Sequence, residues 1–183
     1  FLSIGRIQQQ KGQLETLRFL NSFKEVETDF MCYFVGGPSG SSGDEYLSEL
    51  KESVKELSLS SHVEFLGNLP QVDIRNLLNS AKLLIHTSQY ETFGLVAIEA
   101  NSMGVPVLTT NNGSMQEIIT NKENGYLVDG LDYQDVSISI KNLINDDQYF
   151  EERMINCMNK SKDYKWENTV DKLLDLYQEA KFS

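Results

Sequence analysis

Two acidic residues with seven others between them, Glu91 and Glu99, stand on either side of a predicted helix start in Glu91-Thr-Phe-Gly-Leu-Val-Ala-Ile-Glu99. Side chains so placed can both face one ligand, while the first helical N–H groups point at its phosphates. Cations that could meet such phosphates occur near the start of the chain, at Arg6 and Lys11. Arginine grips phosphate oxygens bidentately, and lysine adds a compact charge on a flexible stem. Each residue also has a plain alternative. Glu91 reads equally as a solvated loop acid, Glu99 as a surface helix residue, and Arg6 and Lys11 as ordinary surface cations, because charged residues are mostly exposed.

The flanking sequence positions these groups. Lys82-Leu-Leu-Ile-His-Thr87 is a short apolar run with a β-branched member, the pattern of a buried strand. Ser88 to Thr92 is a polar loop, with Thr92 as the expected N-cap of a helix over Phe93 to Met103. Gly104 ends that helix, and Val105-Pro106-Val-Leu-Thr109 is the next strand, with proline at its beginning where a missing N–H does least harm. Ligands of parallel sheets bind outside the carboxyl ends of the strands, which is where Glu91 falls. Glu99 falls in about the second turn of the helix. Gly94, at the helix start, would let a diphosphate approach the N–H groups by removing a side chain; the alternative is a simple helix-start glycine.

Strand-like runs recur at Phe1–Ile4, Phe30–Val35, Val63–Leu66, Leu83–Thr87, Val105–Thr109 and Tyr126–Val128. Helical periodicity fills the gaps at Gln13–Lys24, Glu45–Leu57 and Val72–Ser80. Beyond Leu131 the pattern is purely helical, over Asp135–Asn145, Gln148–Lys160 and Trp166–Lys181. This alternation predicts an α/β fold, a doubly wound Rossmann-like parallel sheet of about six strands with helices on both faces and a helical tail over 165–183. Its first strand would end at Gly5-Arg6, on the ligand edge. The segment Gly36-Gly-Pro-Ser-Gly-Ser-Ser-Gly43 has the composition of a mobile loop. It lacks the Gly-Lys-Ser/Thr end of a nucleotide phosphate loop, and Gly5-Arg6 does not open a G-x-G-x-x-G fingerprint.

Composition bounds the function class. A chain of 183 residues with 40% hydrophobic residues fits one domain spanning 1–183. No apolar run approaches the roughly 18 residues of a membrane span, and no signal-peptide pattern opens the chain. A formal net charge of −11 argues against nucleic acid or an anionic membrane as the main partner, so a phosphate ligand would need local cations. Cys32 and Cys157 read as buried or incidental thiols, compatible with a reducing cytoplasm, and no acid or histidine spacing suggests a metal site. His62 and His86 are isolated; His86, at a strand end, reads as a packing or loop residue. The chain opens on Phe1 and runs straight into a strand pattern, which suggests a piece of a longer protein.

Glu91 to Glu99, followed by Gly104-Val-Pro-Val107, resembles the Glu-x7-Glu signature of the retaining GT-B glycosyltransferases of family GT4. Further elements fall in the order that family would give them. Gly5-Arg6-Ile-Gln-Gln-Gln-Lys11-Gly12 looks like its G-R-x4-K-G phosphate segment, and Phe65-Leu66-Gly67 like its F-L-G strand end. Gly113-Ser-Met-Gln-Glu117-Ile and Asn124-Gly125-Tyr-Leu-Val128 resemble its G-x-x-x-E-I and N-G-x-L-V elements. Ser114 and Gln116 depart from it, since a second glycine and a proline are commoner there, so donor contacts of that loop would differ.

The resemblance implies the donor-binding half of a GT-B enzyme that transfers a sugar from a nucleoside diphosphate to a glycan, lipid or polysaccharide precursor. The acceptor would bind through a separate N-terminal domain. It implies Arg6 and Lys11 on the donor diphosphate without a metal or other cofactor, Glu91 on the donor-sugar hydroxyls and Glu99 on the ribose hydroxyls. The Gly5 strand end and the Phe93-Gly94-Leu95 backbone would face sugar and phosphates, and Gly67 and Asn68 would flank the base. The enzyme would be cytoplasmic, with any membrane contact made through the other domain. The last helix and Trp166 would serve packing, or cross back to the other domain. A sugar-nucleotide epimerase of the same architecture and a noncatalytic nucleotide-binding module are the competing readings.

Overall fold

The computed structural model describes residues 1–130 and 133–181. Six strands, β1 (Leu2–Ile4), β2 (Cys32–Val35), β3 (Val63–Gly67), β4 (Leu84–His86), β5 (Val107–Thr110) and β6 (Gly125–Val128), form one sheet in the order β3-β2-β1-β4-β5-β6. All neighbouring strands run parallel. Parallel neighbours need crossovers, and helices supply them: α1 (Gln13–Lys24), α2 (Gly43–Glu56), α3 (Gln71–Ser80), α4 (Leu95–Ser102) and the short α5 (Met115–Ile118). Three helices follow β6, namely α6 (Gln134–Asn145), α7 (Asp147–Ser161) and α8 (Trp166–Lys181).

Strand side chains alternate between two cores, as the period of two requires. Cys32, Phe34, Ile85, Leu108 and Tyr126 pack with α1, α2 and α6 on one face. Leu2, Leu84 and Val107, with partly buried Tyr33 and Leu127, pack with α3, α4 and α5 on the other. The doubly wound α/β expectation therefore holds, with helices on both faces. The order of strands reverses between β1 and β4, and at such a switch the two flanking crossovers leave on opposite faces and open a crevice above the sheet.

Three local expectations change, and one short helix is added. Helix α4 begins at Leu95, and its N-cap is Gly94 in a left-handed conformation (φ 73°), so Thr92 is not the cap. The four-residue α5 was too short for a helical period to show. The glycine-rich stretch 36–43 is tied down: the Gly36 N–H donates to Gly67 O at 2.8 Å, the Gly37 N–H to Asn68 Oδ1 at 2.7 Å, and Gly43 opens α2. Trp166 is 81% exposed, and Val170, Leu173, Leu174 and Tyr177 also lie open on α8, so this helix packs little against the described residues. Its apolar stripe has helical spacing but no cover there. Leu131 and the last two residues of the expected 165–183 tail lie outside the described residues. Among the described residues, no helix is long and apolar enough to cross a membrane.

One buried polar cluster locks the β4–β6 half together. Asn101 and Asn124 are each 1% exposed. Asn101 Nδ2 donates to Val105 O (3.0 Å) and Asn124 O (3.1 Å), while Asn124 Nδ2 donates to Asn101 Oδ1 (2.5 Å) and Ile118 O (2.9 Å). Asn124 Oδ1 in turn accepts the Thr120 N–H at 2.7 Å. Buried groups left without partners cost about 1–3 kcal/mol each. Asn124→Ala, which strands several at once, should destabilise the chain by about 2–4 kcal/mol and lower Tm by roughly 5–15 °C. Thermal unfolding checks this, and a Tm within about 1 °C of wild type would show that the cluster contributes nothing.

Candidate functional site

The β1–β4 pairing is the first cause of the site. Leu2 pairs with Leu84, and both strands end at the same edge, so the segment after β1 and the loop after β4 leave side by side. Hydrogen bonds then stitch the two together. The Gln89 N–H donates to Gln10 O (3.0 Å) and the Ser88 hydroxyl to the same oxygen (3.1 Å), while the Thr87 hydroxyl donates to Gly12 O (2.7 Å). Gly12 closes a 3-10 turn over Gln9–Lys11 with φ 70°, and a Cβ there would overlap the Thr87 carbonyl. Only glycine permits that approach. It delivers Lys11, the preceding residue, to Glu91.

Lys11 Nζ lies 2.9 Å from Glu91 Oε2, and His86 Nε2 lies 3.1 Å from the same oxygen. The other carboxylate oxygen accepts a longer bond, 3.4 Å, from the Gly94 N–H. The Glu91 side chain is 13% exposed, that of Lys11 22% and that of His86 only 6%. The hydrogen bond from His86 foremost, then the Lys11 ammonium, hold the Glu91 carboxyl well below the usual carboxylate range, against the opposing effect of burial. Glu91 is thus an ionised, partly desolvated carboxylate.

These groups line a cavity of about 410 Å³ above the β1–β4 switch. Gly5, Arg6, Lys11, Glu91, Phe93, Gly94, Leu95 and Glu99 all border it, so eight of the ten residues singled out in the sequence meet around one space. Arg6 is exposed, and no ion pair engages it among the described residues. Glu99 is exposed on the first helical turns of α4 and also borders an adjoining cavity of about 280 Å³ with Gln71 and Arg75 of α3. Phe93 and Leu95 are 56% and 62% exposed, so apolar side chains stand at the mouth. Leu95 and Val96 occupy the first turn of α4, where helical N–H groups have no partner within the helix.

Gly67 and Asn68 do not border the cavity. The Gly67 carbonyl accepts the Gly36 N–H, and the Asn68 side chain accepts the Gly37 N–H. Gly94 borders it, but the case for it changes. A Cβ there would overlap Met115 Cε, beneath α4, and would not project toward a ligand. The left-handed backbone and the close approach of α5 require the glycine. Ser114 and Gln116 stay off the cavity as well: Ser114 N–H reaches Glu91 O (3.4 Å), and Gln116 Nε2 reaches Asn111 O (3.3 Å).

His86 is the functional neighbour that sequence reasoning passed over, together with Gln71 and Ile74 of α3, which complete the wall. A signal for His86 existed in its place as the last residue of β4, five before Glu91. Among the described residues, no group of His, Cys, Asp and Glu has the arrangement to hold a metal ion.

The sequence model described as glycosyl transferases group 1 matches residues 1–161. A D-inositol 3-phosphate glycosyltransferase of Corynebacterium urealyticum is 33% identical over 177 residues, covering 96% of this chain and 42% of the relative. One of Rhodococcus jostii is 31% identical and is covered to 39% of its length. The chain thus spans about two fifths of the curated relatives it matches. The C-terminal domain of a group 1 glycosyl transferase (LpcC) from Francisella tularensis superposes with a TM-score of 0.77 at 26% identity, covering 90% of this chain and 86% of that one. Anabaena HepE, solved in complex with UDP, shares the fold with a TM-score of 0.82 at 24% identity and is covered to 48% of its length. The sequence match, over nearly the whole chain, places this protein in the glycosyl transferases group 1 family.

Proposed function

We propose that this chain is the donor-binding half of a retaining glycosyltransferase of GT-B architecture, and that its cavity takes a nucleoside-diphosphate sugar. The observation that carries this reading is the convergence of two cations, two carboxylates and a helix N-terminus on one cavity at the sheet's switch point. Departure of the sugar leaves about two negative charges on the diphosphate, and fixed cations stabilise that transition state more than the ground state. Arg6 is free to grip phosphate oxygens, and Lys11 adds a second charge once it leaves Glu91. Glu91 then accepts hydrogen bonds from donor-sugar hydroxyls. Glu99, between the two adjoining cavities, accepts them from the ribose, which directs the base toward α3, Gln71 and Arg75.

The relatives' greater length supports the rest of the proposal. The acceptor, a glycan or lipid precursor, would be bound by a further part of the parent protein, and the transfer would occur in the cytoplasm. Arg6 and Lys11 would neutralise the diphosphate without a metal.

Three outcomes test this. UDP and UDP-glucose, ligands of the HepE neighbour, serve as first probes in calorimetry. Glu99→Ala should weaken nucleoside diphosphate binding by about 1.5–3 kcal/mol, the range for hydrogen bonds to a charged group. Glu91→Ala should preserve or strengthen it, since Lys11 is released to the phosphates; equal losses for both variants would overturn this division of roles.

Arg6→Ala and Lys11→Ala should each weaken nucleoside diphosphate binding far more than nucleoside binding. Binding should persist in excess chelator, and a strict need for magnesium or manganese would refute the cation assignment.

The chain alone should bind donor yet transfer no sugar, because positioning of the acceptor contributes about 7–11 kcal/mol to such a reaction. A product assay beside the full-length parent decides this, and comparable rates would show that the machinery is complete within these residues.

A further inference from the structure

We propose that His86 is a positioning residue for Glu91: it is the hold that stays on the carboxylate when Lys11 leaves for a donor diphosphate. The inference rests on the donor-site reading above and assigns a role to a residue outside the recognised motifs.

Glu91 Oε2 has two side-chain partners of unlike character. Lys11 reaches it from the end of a turn, on a four-carbon stem, with 22% of its side chain exposed to the cavity. It can re-aim at a phosphate by rotating its own bonds. His86 cannot follow. Its backbone is fixed in β4 opposite Thr109, and its ring is 94% buried. The loop between His86 and Glu91 is fixed as well. The Thr110 hydroxyl donates to Ser88 O (2.8 Å), the Ser88 hydroxyl shares its one proton between Gln10 O (3.1 Å) and Tyr90 O (2.9 Å), and the Ser114 N–H donates to Glu91 O (3.4 Å). The freedom left at Glu91 is therefore that of its side chain. With Lys11 gone, the long Gly94 contact and His86 are the side-chain restraints left to it among the described residues. To donate to a carboxylate, Nε2 must carry a proton, and both the Nε2–H neutral ring and the imidazolium do so. The hold needs no change of charge on His86.

A packing histidine would be replaceable by an apolar residue of similar size, and a positioning one only by a donor of similar reach. NMR of the ligand-free chain separates these, reading the Gly94 amide and the Glu91 side-chain carboxyl carbon. Lys11→Met imitates the departure of the lysine. It should leave both signals near wild type, while Lys11→Met/His86→Leu should displace them and Lys11→Met/His86→Gln restore them. Displacement by Lys11→Met alone, or equal signals in the two double variants, would overturn the proposal. The glutamine variant keeps the test informative where the leucine variant fails to fold.

With ligand, His86→Leu should keep UDP affinity within about twofold and cost UDP-glucose about tenfold or more, with His86→Gln recovering most of it. Equal losses for UDP and UDP-glucose would mark His86 as structural. A wild-type chain that binds neither probe would count against the donor reading, whereas the ligand-free signals would still decide the role of His86.

Discussion

The parallel pairing of β1 with β4 is the constraint on which the site depends. Each strand is only three residues long, yet the pairing brings two segments about eighty residues apart in sequence to one edge of the sheet. Everything at the cavity then follows from how closely those segments approach. The Gln89 and Ser88 bonds to Gln10 and the Thr87 bond to Gly12 set that distance, and Gly12 permits it by lacking a Cβ. A change that pushes the Lys11 turn away from the Glu91 loop would separate cation from carboxylate without touching either.

The cluster has an electrostatic logic as well. A chain with a net charge of −11 would repel a diphosphate at long range, so on the donor reading attraction must come from charges placed within a Debye length, about 10 Å at moderate salt. Arg6 is exposed and free of ion pairs among the described residues, and so offers its charge at once. On the donor reading Lys11 differs, because its ion pair with Glu91 would have to be exchanged for phosphate contacts. On the proposal above, His86 stays on the carboxylate that Lys11 leaves behind. On that reading the two cations would act in different ways, one as a standing receptor and one as a conditional one.

The sheet and most helices were legible because hydrophobic period carries that information: α1 appears at the bounds its leucines and phenylalanines predict. What was not legible depends on contacts between distant segments. The Lys11–Glu91 pair requires knowing that β1 lies beside β4 and not beside β3 or β6. The reason for Gly94 lies in Met115 beneath it, on a helix of four residues with no period of its own. Asn124, visible only as part of a motif, proves to be a buried bracket for Asn101, Ile118 and Thr120. The glycine-rich segment read as mobile because composition reports the absence of apolar anchors but not backbone hydrogen bonds, and those are what tie Gly36 and Gly37. The family motifs thus marked a place, while the reasons for Gly94 and Asn124 lay in packing and in buried hydrogen bonds.

The state of Glu91 also limits the chemistry it can perform. A general acid or base works best with a pKa near the operating pH, where it can both gain and lose a proton. Glu91 sits far on the ionised side of that condition, held there by His86 and then Lys11 despite burial. It is therefore a poor proton carrier near neutrality. Its strength is as a fixed acceptor, with an orientation set by donors on two sides, and that suits recognition of hydroxyl groups whose positions must be held while a neighbouring bond breaks. On the donor reading, charge development would fall to Arg6, Lys11 and the first turn of α4, so recognition of the sugar and stabilisation of the leaving group would fall to different residues. Lys11 would connect the two tasks, since the movement that brought it to the phosphates would be the one that freed Glu91 for the sugar.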